Sequence, residues 1–273
     1  MKNLFFTLIL LLLSLSGCTQ SVTSSDLTSN LRQTQWYKAK VAYLGDSITD
    51  KRRIGTKKVY WEYLEDYLGI QSYVFARSGH TWNDIMVQAQ ELKDLGIDEL
   101  SAIIIFAGTN DYNSNTEMGT LYTESLQLTN HNGEQVQRKF RESSFDTNTF
   151  YGRINSVLSF LKQHFPQQQI ILLTPIHRGY AHFNEKNVQP DERYANGVGL
   201  YIDDYVEGIK KAGQYWSLPI IDLFGTSGLS PLVDSHAMYF ANKQKDLLHP
   251  NADGHNRMAQ TIMCQLLQFP GKF

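Results

Sequence analysis

From Lys40 onward the chain repeats one pattern, a short run of apolar and β-branched residues followed by a longer segment whose apolar residues recur three and four apart. The runs at 41–44, 72–75, 102–107, 170–174 and 219–223 read as buried strands. The segments 60–68, 82–95, 150–165 and 200–215 read as amphipathic helices, and a last helix from Pro250 carries Met258, Ile262 and Leu266 on one row. Helices that carry the chain back between successive strands make those strands parallel, with helices on both faces of the sheet. The expected fold class is therefore α/β: three layers, α/β/α, around a five-stranded parallel sheet. With 273 residues and 42% hydrophobic content the chain can bury one such core, which we place in a domain over 38–273.

Open parallel sheets hold their ligands beyond the carboxyl ends of their strands, so the residues that follow each run carry the functional information. After the first run come Gly45-Asp46-Ser47, after the second Ser78-Gly79-His80, and after the third Gly108-Thr109-Asn110-Asp111. Near the carboxyl terminus stands Asp246-Leu247-Leu248-His249-Pro250. A serine hydroxyl is a weak nucleophile until a neighbouring base takes its proton, and His249 is the candidate base for Ser47. Asp246, three residues earlier, can supply from the same turn the carboxylate that orients the imidazole and stabilises imidazolium. Pro250 favours the first helical position and biases its predecessor to an extended conformation, which sets His249 at the mouth of the last helix.

These four blocks, in this order and approximate spacing, resemble those of the SGNH hydrolases, also called GDSL lipases and esterases. The resemblance extends over nearly all of residues 40–269. It implies the flavodoxin-like fold of that superfamily, hydrolysis of esters, and a triad of Ser47, Asp246 and His249. It also implies an oxyanion hole formed by the backbone N–H groups of Ser47 and Gly79 and the side-chain amide of Asn110. Glycine suits position 79 because the backbone must approach the substrate with no Cβ in the way. Taken alone, Asn110 reads equally well as a turn residue after a strand. The chain departs from the family at Val74 and Ala76, where an asparagine and a glycine are frequent, so hydrogen bonding around Gly79 is expected to differ.

Several further polar residues lie near these blocks. His80 and His177, each just past a strand, are candidate substrate contacts, with a bland surface role as the alternative. His255 falls inside the last helix and reads as solvated or as a neighbour of the catalytic residues. Asp46 and Asp50 flank the serine and are expected to cap the turn into the following helix. The segment 112–147 breaks the βα alternation. Within it Asn132-Gly133 separates two alternating stretches, the sign of a β-hairpin. Leaving a carboxyl strand end, the insertion is expected to overhang the ligand face, with a decoration remote from substrate as the alternative.

Lysine plus arginine number 25 against 27 aspartate plus glutamate, so nothing draws the chain to nucleic acid. No His, Glu or Cys cluster has metal-ligand spacing and no Gly-rich loop carries a phosphate-binding lysine; neither a metal nor a cofactor is expected. At the amino terminus a short charged head and a dozen mostly apolar positions suit a secretory signal and are too short to span a bilayer. The segment ends in Leu15-Ser16-Gly17-Cys18, which resembles the lipobox of bacterial lipoproteins and implies lipidation of Cys18. Thr19 and Gln20 lack the aspartate that retains such proteins at the inner membrane, so outer-membrane anchoring, facing the periplasm or the cell exterior, is expected. Residues 19–37 read as a flexible polar tether. Cys264, alone once Cys18 carries lipid, is expected to be buried in the last helix.

The resemblance leaves open whether the substrate is an O-acetylated glycan, a lipid or a thioester, since fold and triad do not separate them. Tyr112, Asn113, Asn115 and Tyr122 in the polar insertion favour an acetylated glycan. A non-catalytic binding lipoprotein on the same scaffold is the alternative of another class, and no triad member is missing to favour it.

Overall fold

The structure, a computed structural model, describes residues 33–271. The signal segment, Cys18 and the tether as far as residue 32 lie outside the described residues. In chain order, β1 (Lys40–Gly45), α1 (Tyr60–Leu68), β2 (Gln71–Val74), α2 (Trp82–Leu95) and β3 (Leu100–Phe106) come first. The short helix α3 (Thr109–Asn113) leads to β4 (Tyr122–His131) and β5 (Glu134–Ser143), then α4 (Phe150–His164) and β6 (Gln169–Leu173). Next come β7 (Ala181–Asn184), β8 (Asn187–Gln189), α5 (Ile202–Tyr215), β9 (Ile220–Ile221) and the one-turn α6 (Leu223–Thr226). A 3₁₀ turn at Asp234–Tyr239, β10 (Phe240–Asn242), β11 (Asp246–Pro250) and α7 (Ala252–Leu266) follow.

The five expected runs form one parallel sheet in the order β2-β1-β3-β6-β9. Its side chains alternate between two apolar layers, as the pleat requires. Val41 and Tyr43 of β1 and Ile104 and Phe106 of β3 pack against α1 and α7. Ala42, Leu44, Ile103 and Ile105 pack against α2, α4 and α5. The central strands are buried on both faces, which is why they read as unbroken apolar runs in the sequence.

Beside this sheet stands a second one that the sequence did not announce, four short strands in the order β10-β11-β7-β8, paired antiparallel. Asp246 to Pro250 is therefore a strand, β11, and not the mouth of a helix. The helix α7 starts two residues beyond Pro250, where Asn251 accepts the N–H groups of Asp253 and Gly254 as its cap. Its buried row is Met258, Ala259, Ile262 and Leu266. Cys264 lies roughly 200° around the helix from Ile262 and is exposed, not buried as expected.

The insertion holds the expected hairpin, with β4 and β5 paired from Tyr122↔Ser143 to His131↔Glu134 around Asn132 and Gly133, both at positive φ. It does not overhang the ligand edge. Tyr205 donates to the Thr116 carbonyl, Met118 packs over Gly208, and Tyr122 stacks on Tyr215 in the last turn of α5. Because α5 starts at the carboxyl edge and delivers the chain to the start of β9, residues 116–122 run down the α4–α5 layer toward the amino edge. The ribbon springs from that end, and nearly all of its residues are exposed.

Candidate active site

The strand β1 ends in Gly45, where a Cβ would come within 2.7 Å of the Phe106 carbonyl on the neighbouring strand. The absence of a side chain lets the chain turn hard against β3 and present Ser47 at the carboxyl edge. Gln88 holds this point from α2: its amide accepts the Gly45 N–H and donates to the Gly45 carbonyl, each at 2.8 Å. Asp46 shapes the turn that follows, its Oδ1 accepting the Ile48 N–H at 3.0 Å and its carbonyl accepting from Thr49 and Asp50.

Ser47 Oγ lies 2.9 Å from His249 Nε2, and His249 Nδ1 lies 2.9 Å from Asp246 Oδ2. The second carboxylate oxygen, Oδ1, accepts the backbone N–H groups of Leu248 (3.1 Å) and His249 (2.9 Å). The carboxylate is thus fixed by its own strand while one oxygen points at the imidazole, an arrangement that can hold the Nδ1–H tautomer and leave Nε2 to take the serine proton. Ser47 and His249 are 7% and 4% exposed, so their contact is shielded from bulk water while the serine still reaches the surface.

The turn after β2 faces this pair. The Arg77 carbonyl accepts the His80 N–H at 3.2 Å, which places Gly79 at φ +85°, a left-handed conformation that suits glycine. A Cβ there would meet nothing within 4 Å, so the backbone angle, and not crowding, accounts for the glycine. Among the described residues the N–H groups of Ser47 and Gly79 have no acceptor. Asn110 Nδ2 donates to the His80 carbonyl at 3.0 Å, which ties α3 to this turn and occupies one of its two N–H groups. Two backbone N–H groups without an acceptor and one remaining side-chain N–H thus stand on the serine turn and on the segments tied to it by hydrogen bonds.

Both aspartates flanking Ser47 cap turns as expected, each accepting the N–H two residues on, but no helix follows directly, since the next begins at Tyr60. Asp50 also links the two turns: Oδ2 accepts the Ser78 N–H at 2.8 Å, Oδ1 accepts from the Arg52 backbone, and the Arg52 guanidinium closes on Oδ2 at 2.7 and 2.9 Å. Burial would raise the Asp50 carboxyl, but these donors outweigh it and hold the group below its usual range. Asp46, fully enclosed, is pushed up to about 7 by burial against the opposing pull of the Ile48 N–H and His249.

Of the other candidates, His80 is fixed by Gln88, whose amide nitrogen lies 2.8 Å from Nδ1. His177 is not brought to the triad. It pairs with Glu192 at 2.7 Å and lies against the Phe224 ring. His255 is buried, not solvated: its Nδ1 accepts the Tyr60 N–H at 3.3 Å, and burial, then the nearby His249, push it down to about 3. It supports the serine turn at one remove, because Tyr60 and Trp61 bind the Thr49 hydroxyl and carbonyl.

Three contributors escaped the sequence reading. Phe183 on β7 packs its ring 5.4 Å from that of His249, centroid to centroid. Gln88 had a visible signal, a lone polar residue on the buried row of α2 between Ile85 and Leu92. Arg178 is 1% exposed and donates to Thr109 and Gln189, bracing the residue before Asn110; burial lowers it to about 10. On the other side of Asn110, Asp111 accepts the Trp82 N–H and the Arg153 guanidinium, each at 2.9 Å.

No curated protein sequence matches the chain. Solved structures do. A protein from Lactobacillus plantarum is 23% identical with a TM-score of 0.66, covering 84% of this chain and 97% of its own. A protein described as a possible lipase, from Chitinophaga pinensis, is 19% identical with a TM-score of 0.62, covering 84% and 98%. The acetyl xylan esterase AlAXEase is 18% identical with a TM-score of 0.50, covering 83% and 99%. At such identities the likeness concerns the fold. The sequence profile of the GDSL-like lipase/acylhydrolase family matches residues 43–257, a span that includes Ser47, Gly79, Asn110, Asp246 and His249. The chain thus belongs to the GDSL-like lipase/acylhydrolase family of the SGNH superfamily, whose members are ester-cleaving hydrolases.

Proposed function

We propose that the protein is a serine esterase that removes short acyl groups, acetyl above all, from glycans through an acyl-enzyme on Ser47. The observation that carries the serine-esterase part of this reading is the unbroken chain from Ser47 Oγ through His249 to Asp246, each link 2.9 Å, beside unused N–H donors; the glycan part rests on the polar groups around the site. His249 takes the serine proton as Oγ attacks the ester carbon, and returns it to the alcohol oxygen as the carbon–oxygen bond breaks. In the second half-reaction His249 takes a proton from water, which attacks the acyl carbon, and gives it back to Ser47. Ser47 N–H, Gly79 N–H and Asn110 Nδ2 bear the negative oxygen of both tetrahedral intermediates.

The packed side chains of Ile48, Phe106, Ile176 and Leu248 beneath the serine turn leave no room there for a long alkyl chain, which agrees with a short acyl group. The fold shared with an acetyl xylan esterase is consistent with acetyl transfer to water. Turnover of acyl esters from acetate to palmitate, alongside acetylated xylan, tests the reading: preference for acetate and release of acetate from xylan are expected, and preference for palmitate rejects it. Ser47→Ala is expected to abolish turnover; equal rates in variant and wild type reject the acyl-enzyme. We also propose lipid anchoring through Cys18, with the expectation that Cys18→Ala no longer takes up labelled palmitate in cells.

A further inference from the structure

The open edge of the parallel sheet carries a groove that ester chemistry at Ser47 does not itself require. β2 is the outermost strand. Phe75 N–H donates to the Tyr43 carbonyl and Arg77 N–H to the Gly45 carbonyl, so odd-numbered residues turn their backbone to β1 and Ser72, Val74 and Ala76 turn theirs outward. Glu65 takes the Ser72 N–H, which leaves the peptide groups of Val74 and Ala76 on the groove floor.

The groove has a volume of about 920 Å³ and is open to solvent along its length. Trp61 and the Arg52–Asp50 pair form one wall; Arg77, paired with Glu91, and Leu95 form the other. Tyr73, level with Ala42, lies on the same side of the sheet as Leu95 and lines that wall. Ser78 and His80 close the near end, so the groove runs into the very turn that presents Gly79 to Ser47. From Ser72 to Arg77 β2 and its extended continuation span roughly 17 Å at ordinary β-rise, room for about three sugar rings.

Its chemistry selects among occupants. An alkyl chain is held in an enclosed apolar slot, whereas this groove is rimmed by two ion pairs and by Lys51, which forms no ion pair among the described residues. A sugar chain offers C–H faces to aromatic rings and hydroxyl and acyl oxygens to guanidinium, ammonium and peptide N–H groups, all of which are present. We propose that this groove is a subsite for a polysaccharide chain, which lies along β2 and delivers its O-acyl group past His80 to Ser47. The proposal rests on the reading of the protein as a glycan esterase, and it adds that the enzyme recognises several sugars on the β2 side of the scissile ester.

The test uses the full-length protein and Tyr73→Ala, with Lys51→Ala as a second, surface variant that leaves the core intact. The readout is selectivity, the ratio of kcat/KM on an acetylated xylo-oligosaccharide to kcat/KM on a chromogenic acetate. A fall of about tenfold in Tyr73→Ala, carried by KM, and a smaller fall in Lys51→Ala are expected. An unchanged ratio in both, or a selective loss on chromogenic palmitate, overturns the subsite. Titration of deacetylated xylo-oligosaccharide into Ser47→Ala protein separates this from the assigned activity: saturable binding that Tyr73→Ala abolishes supports the groove even if the wild type fails to release acetate, and absence of binding refutes it.

Discussion

Two antiparallel regions have been added to the same parallel sheet, and they differ in almost every respect. The β10-β11-β7-β8 sheet is built from strands of three to five residues, yet it carries Asp246 and His249, and its polar groups have several partners each. The β4–β5 ribbon has the longest strands among the described residues, ten residues each with every pair in register, and it touches the rest of the molecule mainly at its base. Length and regularity of pairing therefore say little about what an element holds in place. Burial does: a two-stranded ribbon in water is marginal, whereas short strands pressed against a core keep their geometry.

The largest effect that distinguishes the two regions is expected from Asp246→Asn. Both Oδ1 contacts can survive, but an amide in place of Oδ2 disturbs the imidazole tautomer, and kcat should fall by about 10³ to 10⁴ in steady-state assays on a chromogenic acetate. A loss under tenfold would show that β11 positions His249 without needing the carboxylate charge.

Next comes Asp46→Asn, which probes the cost of burying charge beside Ser47. The folded protein keeps this carboxyl protonated up to about 7, while the unfolded chain releases the proton near 4. The folded state thus binds the extra proton between these values, and wild-type stability falls as pH rises through that window. The loss amounts to up to about 4 kcal/mol. Asparagine still accepts the Ile48 N–H but does not ionise, so denaturant titrations of the variant should lack this decline, with the two proteins converging below pH 4. Parallel pH curves would place the titration elsewhere.

Arg178→Ala removes a buried guanidinium and leaves Thr109 and Gln189 without their donor. A loss of about 3 kcal/mol in urea denaturation is expected, with a lower kcat as Asn110 loses its brace. Full activity at reduced stability would detach Asn110 from this support. The smallest effect belongs to the ribbon. Ser144 N–H already donates to the Leu121 carbonyl at 3.2 Å, and Asn155 clasps both carbonyls, so a tight turn can replace residues 122–143. That deletion should change stability by less than about 1 kcal/mol and turnover of a chromogenic acetate by less than twofold. A large loss in either would give the ribbon a structural weight that its exposure does not suggest.

The parallel sheet was legible because its strands are buried on both faces and so are written as apolar runs, and the helices because each presents one apolar row. The blocks at the strand ends were legible by position, since the chemistry demands a serine, a base and donors at one edge. β7, β8 and β10 left no such trace: three or four residues show no period, and their partners lie far away in sequence. For the same reason Asp246 to Pro250 reads as a turn before a helix until β7 and β10 are seen beside it. Cys264 was misjudged for a related reason: a shift of a residue or two in where the buried row of α7 falls reverses which side chains are enclosed, and the same shift decides between the two readings left open for His255. The direction of the insertion was illegible because the contacts that turn it, Thr116 with Tyr205 and Tyr122 with Tyr215, join segments more than eighty residues apart.

The meeting of Leu121 and Ser144 beneath Asn155 has a practical meaning. The chain leaves and re-enters the domain there through adjacent, clasped strands, at the end remote from Ser47. Such a point works as a port, where a foreign domain with neighbouring termini, a reporter or a second binding module, can be spliced in place of the ribbon and carried by a working esterase.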